Sequence, residues 1–348
     1  MINMAPNLRH LRAFCVVAAH QSISRASEEV FLSQPAITQA IAKLEQSLDV
    51  ELFTRRTDGV FITDAGQLYL TRVERAQEFI RTGIDEARKM AQVRNGRSFA
   101  NLDQLVSGVQ LRALIAIAKT GNFSLAARLV GISQPSLYRA ARDLERLSTL
   151  MLFRKTGQGI ELTPGAEIWA RYAQLAFAEL QQGQMEIRSY KGVDSSRIVI
   201  GTMPLARTYI LPSAITHITR LRPNVEISVI DGRYEDLLHG LRYSEIDILI
   251  GALRNPPPID DVQEEAIFDD ELALIVRADH PLTRKEKVSM EDLTRYPWIT
   301  PREGSPTRTI FEGLFTNRHS ARPKSIVEAS SLVLIRRLLM DSDRITLI

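Results

Sequence analysis

The stretch SQPAITQAIAKLE, Ser33 to Glu45, returns one hundred residues later as SQPSLYRAARDLE, Ser133 to Glu145. In each copy the serine can cap a helix, and the proline suits the first turn, where a missing N–H costs little. On the first helix Ile37, Ile41, Leu44 and Leu48 recur at spacings of four and three and mark the buried stripe. Ala36, Thr38, Gln39, Ala42 and Lys43 then point outward, and the second copy puts Tyr138, Arg139, Arg142 and Asp143 at the last four of these places. Short polar side chains and an amide can pair with base edges, while a lysine or a helix N-terminus can hold phosphate. Arg139 suits guanine or phosphate, so the two copies could read different sequences.

The elements needed to position these groups are also written twice. Residues 8–91 and 108–191 align almost without a gap, with Leu11-Arg12-Ala13 on Leu111-Arg112-Ala113 and Leu52-Phe53 on Leu152-Phe153. The chain therefore holds a duplicated module, and two copies are too few for a solenoid. Each copy reads as helix, helix, turn, helix, hairpin, long helix. Ser24 is the expected cap of the second helix and Ala26 its close-packing point. A three- or four-residue turn before the third helix is the layout of a helix-turn-helix, whose second helix enters the major groove. Asp58-Gly59 between apolar residues predicts a hairpin, or wing, with Arg55 and Arg56 at its base. Alone, that pair reads as solvated surface; beside a helix-turn-helix it reads as a phosphate contact.

After the wing, Tyr69, Val73, Ala76, Ile80, Gly83, Ala87 and Met90 form a short heptad seam, repeated as Trp169, Ala173, Ala176, Leu180, Gly183 and Ile187. Such a helix needs a partner, most simply the same helix of another subunit. The alternative is that the two seams pair with each other within the chain.

Composition sets the remaining bounds. The 348 residues are 45% apolar and 24% charged, enough for two or three globular domains. Net charge is +2 over residues 1–100, +3 over 101–195 and −2 over 196–348, which favours a polyanion at the N-terminal end. Cys15, the single cysteine, reads as a small buried hydrophobe. The N-terminus lacks a signal-peptide core and no run is long enough to span a membrane, so a cytoplasmic protein with no membrane partner is expected. The six histidines show no metal spacing, and GxSxG, P-loop and GxGxxG motifs are absent. Neither an enzyme nor a cofactor or metal site is expected.

From Ser196 the pattern turns to short strands alternating with helices, an α/β arrangement. The expected strands are 197–201, 225–230, 247–251, 271–277, 298–300, 325–328 and 344–348, with helices over 211–221 and 234–242. Asn255-Pro256-Pro257-Pro258 marks a rigid excursion near a lobe boundary. Ligands of α/β sheets lie outside the carboxyl ends of the strands. Thr202, Thr300, Arg302 and Ser330 are the candidate small-molecule contacts, with helices beginning near Ser305 and Ser330 offering N–H groups.

Together these motifs resemble the LysR-type transcriptional regulators. The resemblance rests on SRASEEVFLSQPAITQAIAKLEQSLDVELFTRR and ITDAG, on FSLAARLVGISQPSLYRAARDLE and LFRKTGQGIELT, and on GTMPLARTYILPSAITHITRLRPNVEISV. It implies a winged helix-turn-helix at 8–66, a linker helix at 67–95, a second winged helix-turn-helix at 108–166 with its linker at 167–192, and an effector domain like a periplasmic binding protein at 196–348. It implies double-stranded promoter DNA and a small-molecule effector as partners, with a homodimer or homotetramer formed through the linker helices. By the family's pattern Ser33, Gln34, Pro35, Thr38, Gln39, Lys43, Arg55 and Arg56 meet DNA. In copy two the candidate DNA contacts are Ser133, Gln134, Tyr138, Arg139, Arg142, Arg154 and Lys155. Family effectors include amino acids, aromatic acids, sugars and inorganic anions, and double-headed members resemble regulators of sugar uptake.

Copy two departs from the pattern in two places. Thr149 stands where the family has a glycine, which predicts an altered turn, and Gly165-Ala166 replaces the Ala-Gly that copy one keeps as Ala65-Gly66. Copy two is therefore either a second DNA reader or a spacer. The chain also stops at Ile348 inside a strand-like run, where the family would return to complete the first lobe, so the effector domain is expected to be incomplete. A small-molecule binding protein whose N-terminal helices serve only assembly is the alternative reading.

Overall fold

A computed structural model describes residues 7–57, 59–92, 101–157, 159–193, 196–254, 256–257, 259–316 and 322–348. The end of the expected first linker (93–95), Asp58 of the expected wing turn, and Asn255 and Pro258 of the proline excursion lie outside these. The chain divides into two compact units. The first runs to Ile198 and takes in Arg222–Ile227 and Tyr243–Glu245, and the second holds the rest.

In the first copy α1 (Leu8–His20), α2 (Ile23–Val30) and α3 (Gln34–Leu48) lead into a hairpin of β1 (Phe53–Arg56) and β2 (Gly59–Ile62), and then α4 (Asp64–Met90). A short α5 (Leu102–Leu105) precedes the second copy. That copy is α6 (Gly108–Thr120), α7 (Phe123–Val130), α8 (Gln134–Ser148), the hairpin of β3 (Phe153–Thr156) and β4 (Gly159–Leu162), and α9 (Pro164–Tyr190). The predicted stripe is buried, with Ile37, Ile41, Leu44 and Leu48 at most 8% exposed. Ala26 is fully buried as expected, but the cap of α2 is Ser22, whose Oγ accepts from the Arg25 amide, and Ser24 lies inside the first turn. Asn122 does the same for α7.

Thr149 corrects one expectation. The turn after α8 is not altered; Thr149 adopts the left-handed conformation itself, φ 57°, as Asp49 does in copy one at φ 54°. In a β-branched residue this conformation is strained, since its Cβ crowds the backbone. Phe31 is in the same conformation at φ 53°, while copy two uses Gly131 at φ 75°. Relief of the strain outweighs glycine's added chain entropy, so Thr149→Gly is expected to raise stability by about 0.5–1 kcal/mol, read as a higher urea midpoint.

The linker helices take the second of the two pairings expected above. Their seams do not wait for another subunit; they face each other within the chain. Tyr69, Val73, Ala76, Ile80, Ile84 and Ala87 of α4 and Trp169, Ala170, Ala173, Ala176, Leu180 and Ile187 of α9 share one core, each no more than 4% exposed. Met90, placed on the seam by its spacing, is 53% exposed, so the seam closes at Ala87. Cys15 joins this core. Burial pushes its thiol up to about 12, and its Sγ accepts from Gln77 Nε2 at 3.4 Å. The native chain should therefore resist a thiol-alkylating reagent at pH 8, where the protein unfolded in urea reacts within minutes. Rapid modification of the native chain would contradict that environment.

All seven predicted C-terminal strands are present, most of them trimmed at their ends. One sheet has the order β6-β5-β7, from β5 (Arg197–Thr202), β6 (Glu226–Asp231) and β7 (Ile248–Ile250), with β5 and β7 parallel. The other has the order β10-β9-β11-β8, from β8 (Leu274–Ile275), β9 (Trp298–Thr300), β10 (Ile326–Glu328) and β11 (Ile345–Leu347). Here β10 and β11 flank β9 in parallel, and β8 runs against β11. Helices α10 (Ile210–Leu221), α11 (Tyr234–Arg242), α12 (Met290–Arg295), α13 (Pro306–Thr316) and α14 (Leu332–Met340) complete the chain.

Candidate nucleic-acid interface

The letters shared by the two copies are the ones that build the head. Ser33 Oγ accepts from the Ala36 amide at 3.4 Å and Ser133 Oγ from the Ser136 amide at 3.3 Å, so each caps its recognition helix. Glu45 turns back to the wing, its Oε1 accepting from the Leu52 and Phe53 amides at 2.9 and 3.2 Å. Glu145 repeats this with Leu152 and Phe153 at 2.8 and 3.1 Å. Thr63 and Thr163 close the far end, with hydroxyls donating to the Glu51 and Met151 carbonyls and accepting from the long helix's N-terminal amides. The third helix, wing and linker helix are thereby held in one geometry in both heads.

The differing letters lie on the open surface. In copy one Gln39, Lys43, Arg55 and Arg56 are exposed or half-buried, as is Thr38. Gln34, Pro35, Ala36, Thr38, Gln39, Ala42 and Ile23 line a shallow open groove. Gln34 also serves the fold, its Nε2 donating to Ser24 Oγ at 3.3 Å. Arg56 packs over the Phe61 ring, 5.2 Å from its centre, which fixes its stem beside the wing. Burial, and then Lys43, lower the His10 pKa, so the imidazole is held neutral behind the recognition helix.

Copy two has an aromatic pair at the corresponding place. Tyr138 stands edge-on to Phe123, ring centres 5.2 Å apart, and Arg142 lies over the Tyr138 ring at 5.1 Å while pairing with Glu145. Hydrogen bonding to Tyr138, then to Glu145, raises the Arg142 pKa. Arg142 is therefore pre-positioned rather than loose. Ser133, Gln134, Tyr138, Arg139, Arg154 and Lys155 all reach the surface. Ser33 and Pro35 have their counterparts in place, but of the exposed cations of copy one only Arg55 does, as Lys155. Lys43 becomes Asp143 and Arg56 becomes Thr156, while Arg139, Arg142 and Arg154 put cations at new places, so each head has a cationic outer edge with its own arrangement of charge. Sequence reasoning missed the tyrosine–phenylalanine contact; the paired change from Ile23 and Thr38 to Phe123 and Tyr138 was its signal.

In the second unit Thr202 ends β5, fully buried, its Oγ1 donating to the Met203 carbonyl at 3.2 Å. Thr300 ends β9, 1% exposed, and its Oγ1 accepts from Arg308 Nη1 at 2.9 Å. Arg308 has no sequence signal of its own. It also meets the Pro301 carbonyl at 3.2 Å and the Glu312 carboxylate at 2.9 Å. The Ala329 amide donates to the Thr300 carbonyl at 3.0 Å, which brings Ser330 beside Thr300. Arg302 is exposed. The cap of α14 is Ser331, not Ser330, and its Oγ accepts from the Leu334 amide. No group of three or more metal-ligating side chains occurs among the described residues, and no helix there is long and apolar enough to cross a membrane.

A regulator built on helix-turn-helix heads and an α/β ligand domain is the class these elements define. Two family profiles agree. The one described as "Bacterial regulatory helix-turn-helix protein, lysR family" matches residues 8–67 and again 109–167, and "LysR substrate binding domain" matches residues 191–348. The chain is 30% identical to the HTH-type transcriptional regulator GalR of Pseudomonas putida, over 97% of its own length and 83% of that protein's. It is 28% identical to the uncharacterized regulator YdcI of Escherichia coli, over 67% and 76% of the two chains. Among solved structures, a single-residue variant of full-length OxyR from Pseudomonas aeruginosa covers 69% of this chain and 77% of its own, at 23% identity and a TM-score of 0.49. The chain belongs to the LysR family of transcriptional regulators. It has that family's DNA-binding N-terminal and effector-binding C-terminal domains.

Proposed function

We propose that this regulator binds promoter DNA with both of its N-terminal heads, residues 8–66 and 108–166, joined through linkers 67–95 and 167–192, in the cytoplasm and without enzymatic chemistry. Gln39 and Thr38 read base edges in the first head and Arg139 in the second. Lys43, Arg55, Arg56, Arg154 and Lys155 hold phosphates, with Ser33, Gln34, Pro35, Ser133, Gln134, Tyr138 and Arg142 setting the helix at the groove. The observation that carries this reading is the split between letters. Those shared by the copies make hydrogen bonds inside each head, and those that differ are displayed outward.

The domain at 196–348 would take a small metabolite at Thr202, Thr300, Arg302 and Ser330, with Arg308 holding Thr300 in place. Effector binding would shift the balance between arrangements of the heads and so change DNA bending or spacing. Association of chains into a homodimer or homotetramer would use surfaces other than the linker seam, because that seam is filled within each chain.

A mobility-shift titration of the full chain against random-sequence and promoter duplexes tests the reading. The expected result is a sequence-selective complex whose affinity falls steeply with salt, as several phosphate contacts require. Equal affinity for all duplexes at low and moderate salt would instead support the assembly-only alternative.

A further inference from the structure

We infer that a single chain is the complete two-headed DNA-reading unit, because α4 and α9 pair in cis, and that its target is a pair of unlike half-sites. This rests on the DNA-reading proposal above and adds its stoichiometry and symmetry.

The helices run antiparallel. Gly83 abuts Tyr172 so closely that a Cβ there would stand 2.6 Å from the tyrosine Cβ. Gly183 abuts Tyr69 and Arg72, where a Cβ would come to 3.0 and 3.1 Å. Exchanging the two copies, one hundred residues apart, carries each of these contacts onto the other. The seam therefore has the pseudo-twofold symmetry of a dimer interface, built inside one chain, and it orients two heads as a symmetric pair of subunits would be oriented.

The side chains along the seam break that symmetry and favour the mixed pairing. Arg72 of α4 meets Glu179 of α9 through Nη1 at 2.9 Å and both oxygens of Glu186 through Nε at 3.1 Å. At the symmetry-related place Tyr172 of α9 packs against Phe79 of α4, ring centres 6.2 Å apart. Lys191, at the end of α9, pairs with Asp49 at the end of α3. Pairing α9 with another α9 would instead set Tyr172 against the two glutamates and Lys191 against Thr149. No cation would stand at Arg72's place to answer the four carboxylates. Pairing α4 with α4 would keep Arg72 opposite Glu86, but it would lose the tyrosine–phenylalanine contact and leave Asp49 facing Ala91. The mixed pair alone satisfies both ends.

A cis unit then presents Thr38 and Gln39 at one end and Tyr138 and Arg139 at the other, so an inverted repeat of one half-site is the wrong target. Two measurements on the full wild-type chain test this. The first needs no DNA: chains grown on normal and heavy nitrogen are mixed, and a carbodiimide joins Lys191 to Asp49. Linked peptides of uniform isotope composition are expected. Mixed peptides at about half the total, the value for random partners, would place the seam between chains and overturn the inference. The second selects a duplex from a random-sequence pool and weighs the complex by mass photometry. One chain per pair of half-sites is expected, with a duplex carrying one half-site twice in inverted repeat binding roughly 10-fold more weakly or worse. Two chains on a single pair of half-sites, or equal binding to the inverted repeat, would overturn it. Uniform linkage with no selectable duplex would sink the DNA-reading proposal and the half-site claim with it, while leaving the cis seam in place.

Discussion

Glu45→Ala is expected to release the first wing and to cost about 2–4 kcal/mol, because one charged oxygen serves two backbone amides at once. The Leu52 and Phe53 amides, at 2.9 and 3.2 Å from that oxygen, lie on buried residues at the start of the hairpin and would be left without an acceptor. Arg55 and Arg56 follow directly in β1, so their aim depends on those two bonds. Urea unfolding should show the loss, and DNA affinity should fall beyond what stability alone explains. Glu45→Gln keeps an acceptor oxygen and should lose only about 1 kcal/mol. If Glu45→Ala unfolds like wild type, the carboxylate does not hold the wing and its place in both copies lacks a physical account.

Arg72→Glu should be the most damaging single change in the seam. It removes the cation shared by Glu179 and Glu186, whose hydrogen bonds raise the Arg72 pKa further, Glu186 first, and puts a third carboxylate among them. All three side chains are about one fifth to one third exposed, so water relieves part of the repulsion; a loss of about 3–5 kcal/mol is expected. The triple variant Arg72→Glu, Glu179→Arg, Glu186→Arg restores opposite charges across the seam and should regain most of it. A failure of the triple variant to recover over Arg72→Glu would show that these charges do not specify the pairing.

Much of the first unit was legible because its signals are local. Capping serines, the proline in the first turn and the period of Ile37, Ile41, Leu44 and Leu48 each act within a few residues, and the repeat printed them twice. The heptad seams were legible too, but not what they face, since periodicity records a buried stripe and is silent about its partner. Mixed pairing was decided by Arg72 against Glu179 and Glu186, more than one hundred residues away. Thr149 misled for the opposite reason: local preference argued for an altered turn, yet the residue takes the left-handed backbone that Asp49 takes in copy one. Arg308 was not legible because its role comes only from the fold bringing it against Thr300.

The central claim is that both heads read DNA, each through its own outward letters. Hydroxyl-radical footprinting of the wild-type chain beside Gln39→Ala and Arg139→Ala tests it most directly. Neither side chain takes part in the hydrogen bonds that hold cap, wing and linker together, so both variants should fold normally. The account predicts that each erases protection over a different half of the site and leaves the other half intact. An unchanged footprint for Arg139→Ala would contradict it and make the second head a spacer.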